Sequence, residues 1–160
     1  MCVAIFKPKN VQVPDRNTLN RCFDKNPDGA GFAIYRNNKI EIHKGFMDFN
    51  SFYFNFLKSN PKKDENILIH FRIATHGLVD SGNTHPFPLT DDFEFMRKKD
   101  LYFNGKVLVH NGVFHYPTDV VDKYDKFHKY SDTMLFTKFL FDSINYMPYL
   151  KTYDTSKFDL

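Results

Sequence analysis

The sequence predicts an α+β fold, in which helices pack in layers against a mostly antiparallel sheet. Three observations along its 160 residues support this prediction. Segments with strand and helix patterns follow one another in mixed order. Two β-rich runs are joined by only two residues, Asn37 and Asn38, as in a hairpin. No internal repeat or linker interrupts the chain, so we expect one domain that spans residues 1–160.

The chain opens with a predicted strand and a predicted helix. Residues 2–7 (CVAIFK) have the apolar, branched composition of a strand. Asp15 then offers a helix start, and Leu19, Cys22 and Phe23 recur at helical spacing. This spacing predicts a short helix that ends near Phe23.

A turn, a hairpin and a second helix are predicted next. The run NPDG (26–29) has strong turn chemistry. Residues 30–36 and 39–44 are the two arms of the hairpin. Asp48 can cap a helix over residues 49–58, because a carboxylate oxygen accepts from the free N–H groups of a first helical turn.

The second half of the chain predicts two more strands and a final helix. Residues 67–73 read as a buried strand by their length and branched side chains. Residues 75–88 are polar and rich in turn formers, and residues 91–100 are a charged stretch. Residues 106–112 are predicted as a strand that ends in a turn, and residues 133–146 as a helix. The expected apolar face of that helix comprises Leu135, Phe136, Phe139, Leu140 and Ile144.

Composition limits the classes of function. The chain is 42% hydrophobic and 26% charged, and its net charge of +3 is too small to favour nucleic-acid binding. No apolar run approaches the about 18 residues of a membrane span, and the N-terminal apolar stretch is too short for a signal peptide. We therefore expect a cytoplasmic protein with reduced thiols. Its histidines lack a paired metal-ligand spacing, so neither a metal nor a cofactor is predicted.

The residue after the initiator methionine is Cys2. Removal of Met1 would leave a thiol and a free α-amine on one residue. The amine, with an ordinary pKa of about 7.7–8, can accept the thiol proton near neutral pH. This pair is a complete nucleophile and base, although a cysteine in this place, taken alone, is more often an ordinary small buried residue.

Four further segments carry polar groups that suit a chemical site. They are HFRIATHG (70–77), NTHPF (83–87), HNGV (110–113) and SDT (131–133). Each also has a structural reading. Arg72 can be a strand residue whose charge reaches solvent, the second and third segments can be turns, and the fourth can be a helix N-cap. Their occurrence together, behind an N-terminal cysteine, favours the chemical interpretation.

These groups match the needs of a free amino acid that carries a side-chain amide. A guanidinium such as that of Arg72 binds an α-carboxylate in bidentate fashion, and a carboxylate such as Asp132 binds an α-ammonium. Thiolate attack on the amide creates an oxyanion that needs fixed donors. The side chain of Asn111 and the backbone N–H of Gly112 can supply two.

The sequence resembles the class II glutamine amidotransferases, which belong to the N-terminal nucleophile hydrolases. The resemblance extends from Met1 to about Phe141. Its anchors are MCVAIF, NPDGAGFAIY, HFRIATHG, NTHPF, HNGVF and SDT. The resemblance implies an αββα sandwich of two antiparallel sheets between helical layers. The chain ends soon after its last predicted helix, so we expect a minimal or C-terminally truncated form of that sandwich.

The resemblance also implies roles for individual residues. Cys2 would be the nucleophile, and its α-amine the base. Arg72 and Asp132 would bind the α-groups of L-glutamine, and Asn111 and Gly112 would form the oxyanion hole. The positions that would line or support the glutamine pocket are Thr75, His76 and His85. The reaction would proceed through a γ-glutamyl thioester and release ammonia and glutamate.

Two departures from the family bear on partners. Ile73 stands where synthase-type members often carry a tryptophan of a mobile lid, and we expect no synthase domain to follow in the chain. The resemblance therefore implies that ammonia passes to a separate synthase subunit. An incomplete sheet would leave an open edge, for which a homo-oligomer is the other expected partner.

Two alternatives remain open at this stage. The same thioester chemistry can cleave another γ-glutamyl amide, because Arg72 and Asp132 contact only the glutamyl end. The chain can also be a non-catalytic binding module that retains Met1, since a peptide bond at Cys2 removes the proposed base.

Overall fold

The computed structural model describes residues 1–115, 123, 125 and 128–146, the last six of these by their backbone alone. Its strands are β1 (Val3–Lys7), β2 (Ala30–Arg36), β3 (Lys39–Phe46), β4 (Asn66–Phe71), β5 (Phe87–Pro88), β6 (Asp100–Phe103) and β7 (Val107–Leu108). Its helices are α1 (Arg16–Lys25), α2 (Phe49–Lys58), α3 (Phe93–Arg97) and α4 (Asp132–Tyr146), with a 3₁₀ turn at Ser81–Asn83.

Local sequence signals account for the ends of several elements. The side chains of Asp15 and Asp48 accept from Thr18 and Ser51 N–H, which caps α1 and α2. Asn37 and Asn38 both have positive φ, as a two-residue hairpin turn requires. The strand at 2–7, the helices at 15–23 and 49–58 and the hairpin are thus confirmed to within about two residues, which is the ordinary uncertainty of such boundaries.

Five strands form one antiparallel sheet in the order β1-β4-β2-β3-β6, and β5 and β7 form a second. One face of the large sheet is covered by α1 and α2. The core there is aromatic: the ring of Phe52 lies 5.0 Å from that of Phe71, and Phe56 lies 5.1 Å from Phe32. These side chains are almost wholly buried, so this layer contains the largest apolar core of the described residues.

The opposite face of the large sheet carries the small sheet. Val107 of β7 packs against Ala33, Ile40 and Ile42. Outside the small sheet, Phe87, Met96 and Met134 join β5 to α3 and α4. The order of layers is therefore helix, sheet, sheet, helix. The predicted α+β sandwich of two antiparallel sheets is confirmed.

Several predicted boundaries were wrong. The strand expected over 106–112 comprises only Val107 and Leu108, because its pairing with β5 lasts for two residues. No element was predicted in the charged stretch 91–100, which contains α3 and the first residue of β6; β6 pairs with β3 through Leu101 and Ile42. β4 ends at Phe71, which leaves Arg72 and Ile73 outside the strand.

The last helix begins at Asp132, one residue before the predicted start. Its buried residues include Met134, Leu135 and Thr137, whereas Phe139, predicted on the apolar face, is 46% exposed. The side chains of Phe136 and Leu140 are half-buried. Ile144 belongs to the part described by backbone alone, and the chain after 146 lies outside the described residues. The single-domain boundary at 1–160 stays a prediction.

Within the described part of the chain, no helix is both long and apolar enough to cross a membrane.

Candidate functional site

A small cleft lies where the start of β1, the end of β4 and the start of α4 meet. Residues from all four polar segments line it. Among them are Cys2, Arg72, Thr75, His76, His85, Gly112 and Asp132, which the sequence singled out. The remaining lining residues are Ile73, His110, Ser131 and Thr133. Asn111 is the one predicted site residue that does not line the cleft; it is exposed, and its role stays a prediction.

Strand pairing places Cys2 in the cleft. β1 and β4 run antiparallel with Val3 opposite Phe71, so the residue before β1 lies beside the residues after β4. The N–H of Ile73 donates to Cys2 Sγ at 3.4 Å, and the sulfur lies 3.5 Å from the Ile73 carbonyl oxygen. The sulfur is thus held by the backbone of the very segment that carries Arg72.

Arg72 is buried, with 2% of its surface exposed. Its Nη1 donates to the Leu78 carbonyl and its Nη2 to the His76 carbonyl, both at 2.8 Å. Burial lowers the pKa of Arg72, an effect that nearby Cys2 and the carboxylates of Asp28, Asp80 and Asp132 oppose. A guanidinium has five N–H donors, so those not used by the two carbonyls are available to a bound carboxylate.

The turn at 26–29 fixes the chain on both sides of Arg72. The N–H of Asp28 donates to the Arg72 carbonyl at 3.0 Å, and the N–H of Arg72 donates to the Gly29 carbonyl at 2.8 Å. Asp28 Oδ2 accepts from the N–H of Ala74 at 2.8 Å. The sequence predicted this turn but not its role at the site, because its hydrogen bonds to residues 72–74 join segments more than 40 residues apart along the chain.

Two histidine rings, tilted by 31° to each other, lie at and behind the back of the cleft: His85 lines it, and His70 packs against His85. The rings of His70 and His85 are 4.1 Å apart, and both side chains are buried. His70 Nε2 lies 3.1 Å from the His110 carbonyl oxygen, which requires the proton to be on Nε2. Burial lowers the pKa of His70 to about 4 and that of His85 well below 6.5. Both rings are therefore neutral at neutral pH.

Unsatisfied ring nitrogens give the cleft unused hydrogen-bonding capacity. Both nitrogens of His85, Nδ1 of His70 and Nε2 of His76 are buried without a partner in the described part of the structure. Buried polar atoms of this kind are uncommon in folded proteins, and water or a ligand usually satisfies them. Because His76 and His85 line the cleft, a polar ligand there can bond to them.

The start of α4 holds the opposite wall. Ser131 Oγ accepts from the N–H of Met134 at 3.3 Å, so Ser131 caps the helix, which was the structural reading of this segment. Asp132 Oδ2 accepts from the N–H of Phe114 at 2.8 Å, and Oδ1 accepts from the N–H of Thr133 at 2.9 Å. Asp132 thereby connects the helix to the loop that contains Gly112.

A larger groove lies between α1 and the start of β1 and is lined by Val3, Thr18, Arg21, Cys22, Asp24 and Lys25. None of the predicted site residues lines it. Burial raises the pKa of the Cys22 thiol, which disfavours the reactive thiolate. Size alone would select this groove, but the smaller cleft holds the buried opposite charges and the unsatisfied donors and acceptors. Chemistry therefore favours the cleft as the functional site.

Sequence reasoning missed contributors that act through backbone or distant contacts. The Ile73 N–H on the sulfur has no sequence signal, because every residue except proline has one. His110 and Thr133 stood in segments that were identified, yet no role was assigned to them. Asn83 was noted only as the start of NTHPF, although its amide is wholly buried and bonded to the turn before α4.

Comparison with known proteins bears on the family. The family model described as glutamine amidotransferases class-II matches residues 16–128. The comparison with curated proteins gives no significant match. Cys2 and Asp132 lie outside the matched residues, and β1 and α4 bring them to the same cleft as Arg72. With more than half of its length matched, the chain belongs to the class II glutamine amidotransferases.

Proposed function

We propose that this protein hydrolyses the side-chain amide of L-glutamine to glutamate and ammonia, with Cys2 as the nucleophile. The observation that carries the proposal is the joint position of a thiol, a buried guanidinium and a buried carboxylate, those of Cys2, Arg72 and Asp132, in one small cleft. Class II family membership supports glutamine as the substrate.

Opposite charges in the cleft suit the two α-groups of an amino acid. The free donors of Arg72 bind the α-carboxylate, and Asp132 binds the α-ammonium. Thr75, His76 and His85 lie around the same space and can bond to the remaining polar atoms of the ligand.

The base in this proposal is the α-amine of Cys2. Met1 is 92% exposed, so the residue to be removed lies at the surface, where a processing enzyme can reach it. Removal of Met1 frees an amine that accepts the thiol proton. Without this processing the nitrogen remains in an amide and cannot act as a base.

Catalysis then takes two steps. The thiolate adds to the amide carbonyl carbon, and the N–H of Gly112 with the side chain of Asn111 stabilises the oxyanion. Collapse breaks the C–N bond, and the leaving nitrogen takes the proton from the α-ammonium of Cys2 and departs as ammonia. Water, deprotonated by the same amine, attacks the γ-glutamyl thioester, and glutamate and the free thiol result.

The ammonia acceptor is proposed to lie on a separate synthase subunit, with assembly into a homo-oligomer as the other arrangement. A catalytic thiol has to stay reduced, which is consistent with the cytoplasm as its location.

The test combines the intact mass of the purified protein with an assay of glutamate release from L-glutamine. We expect a mass without Met1 and glutamate release that falls at least about 10³-fold in Cys2→Ala, as when other nucleophiles are removed. Cys22→Ala is the matched control, because it removes the other free thiol of the described chain outside the cleft. It should leave the rate unchanged.

Each other outcome points elsewhere. If the processed protein does not hydrolyse glutamine but cleaves a different γ-glutamyl amide in a reaction that requires Cys2, the proposed substrate is wrong and the proposed mechanism stands. Retained Met1 without turnover of either substrate would contradict the catalytic proposal and favour a binding module.

A further inference from the structure

Asn83 is a buried polar residue that the proposed mechanism does not use. None of its surface is exposed. Its Oδ1 accepts from the N–H of Ser131 at 2.9 Å, and its Nδ2 donates to the Lys129 carbonyl at 2.8 Å and to Asp80 Oδ1 at 3.1 Å. The amide therefore uses both its donor and its acceptor groups.

Those bonds join two walls of the cleft. Asn83 stands two residues before His85, which lines the back of the cleft. Lys129 and Ser131 belong to the turn that leads into Asp132 at the start of α4. A single buried amide thus connects the segment that carries His85 to the segment that carries Asp132.

The segment around Asn83 is itself anchored to the large sheet. Lys44 of β3 is buried, and its Nζ donates to the carbonyls of Gly82 at 3.2 Å and Thr84 at 2.9 Å. On the other side, Asp80 caps the 3₁₀ turn through the N–H of Asn83 at 2.9 Å. Asp80 is held in turn by Arg97 at 2.9 Å. The backbone around Asn83 is therefore held in place, and the Asn83 amide can fix the position of the turn at 129–131 relative to it.

We propose that Asn83 is a positioning residue that locates Asp132 relative to Arg72 and His85, and so determines how tightly the cleft binds the α-ammonium of its substrate. This inference rests on the proposed function. The role requires an acceptor for Ser131 N–H and a donor for the Lys129 carbonyl in one short side chain. Asparagine provides both, and glutamine would be one methylene too long.

The test compares L-glutamine with glutaramate, which is L-glutamine without its α-amino group. In Asn83→Ala we expect kcat/KM for L-glutamine to fall at least about tenfold, mainly through KM, as for a lost hydrogen bond to a charged group. For glutaramate the fall should be less than about threefold, because that substrate makes no contact with Asp132.

Two variants serve as controls. Leu19→Ala removes a buried side chain from the helical layer that covers the far face of the large sheet. This variant loses stability as the Asn83 variants do, but its cleft is unchanged. It should affect both substrates equally. Asn83→Asp keeps an acceptor for Ser131 but places an oxygen against the Lys129 carbonyl. It should lose the preference for L-glutamine as Asn83→Ala does.

An active wild type whose Asn83 variants lose equal factors on both substrates would overturn the positioning role and leave the proposed function intact. A wild type that turns over neither substrate would overturn the proposed function instead. If neither variant folds, amide hydrogen exchange on the wild type decides. A Ser131 N–H that exchanges as fast as an exposed amide would contradict the bond to Asn83, and a protected one would support it.

Discussion

Acidification should destabilise the fold through His70, the buried ring behind the cleft. None of its surface is exposed, its Nε2–H donates to the His110 carbonyl, and Nδ1 has no partner in the described structure. A second proton would place a charge in this buried position. Burial is the main cause of its low pKa, which is about 4. The hydrogen bond to the His110 backbone raises this pKa, and electrostatic repulsion from Arg72 and from the His110 side chain lowers it further.

The direction of the effect follows from the two pKa values. The unfolded chain takes up a proton at His70 below its ordinary pKa of 6.5, and the folded protein does so only near 4. Between these values the unfolded state binds more protons, so the free energy of unfolding falls as pH falls. At 1.36 kcal/mol for each pH unit, the full effect is about 3 kcal/mol, of which about 2.5 kcal/mol is lost between pH 7.5 and 4.5.

Urea unfolding of the wild type and of His70→Phe at several pH values measures this effect. The phenylalanine keeps a ring against His85 and removes the titrating group. We expect the free energy of unfolding of the wild type to fall by about 2.5 kcal/mol more than that of the variant between pH 7.5 and 4.5. His85 is present in both proteins, so the difference between them reports mainly on His70.

Replacement of the exposed His115 by Phe is the control, and this variant should lose stability with falling pH as the wild type does. Equal losses in His70→Phe and the wild type would refute the reasoning. So would an NMR titration in which the His70 ring takes up its proton near pH 6.5.

The other predictions concern packing. Phe52→Ala should lower the free energy of unfolding, measured in urea, by about 3–5 kcal/mol, because Phe52 is wholly buried between α2 and the large sheet. Phe54 is exposed on the same helix, so Phe54→Ala should lower it little. Equal losses in the two variants would contradict the burial of Phe52. Gly31→Ala should destabilise the fold by at least about 1–3 kcal/mol and lower glutamate release, because its Cβ would overlap the His85 carbonyl oxygen. Gly105→Ala should be tolerated in both assays, because its nearest neighbour is the partly exposed ring of Phe103, which can move. A stable and fully active Gly31→Ala would contradict the close contact between Gly31 and His85.

The sequence predicts structure best where the interaction involves only a few neighbouring residues. Asp15 and Asp48 cap their helices through bonds to residues three positions on, and Asn37 with Asn38 closes its hairpin. These interactions depend on local backbone geometry, so residue type and spacing are sufficient to predict them.

Boundaries that depend on pairing partners were predicted less well. β6 begins in a charged stretch because Asp100 to Phe103 pair with β3, about 60 residues earlier in the chain. β7 stops at Leu108 because its partner β5 is only two residues long. A charge pattern contains no information about a distant partner, so neither boundary could be predicted from the local sequence.

For the candidate site, the sequence by itself determined the kinds of groups present: a thiol at residue 2, a guanidinium at 72 and a carboxylate at 132. It could also indicate their chemistry, because thiols, guanidinium groups and carboxylates each have a characteristic set of hydrogen-bond donors and acceptors. Only the tertiary structure decided that they share one cleft, that His70 and His85 are neutral, and that Asn83 joins two of its walls. Proximity, burial and pKa arise from contacts between segments far apart in sequence, and these exist only after the chain has folded.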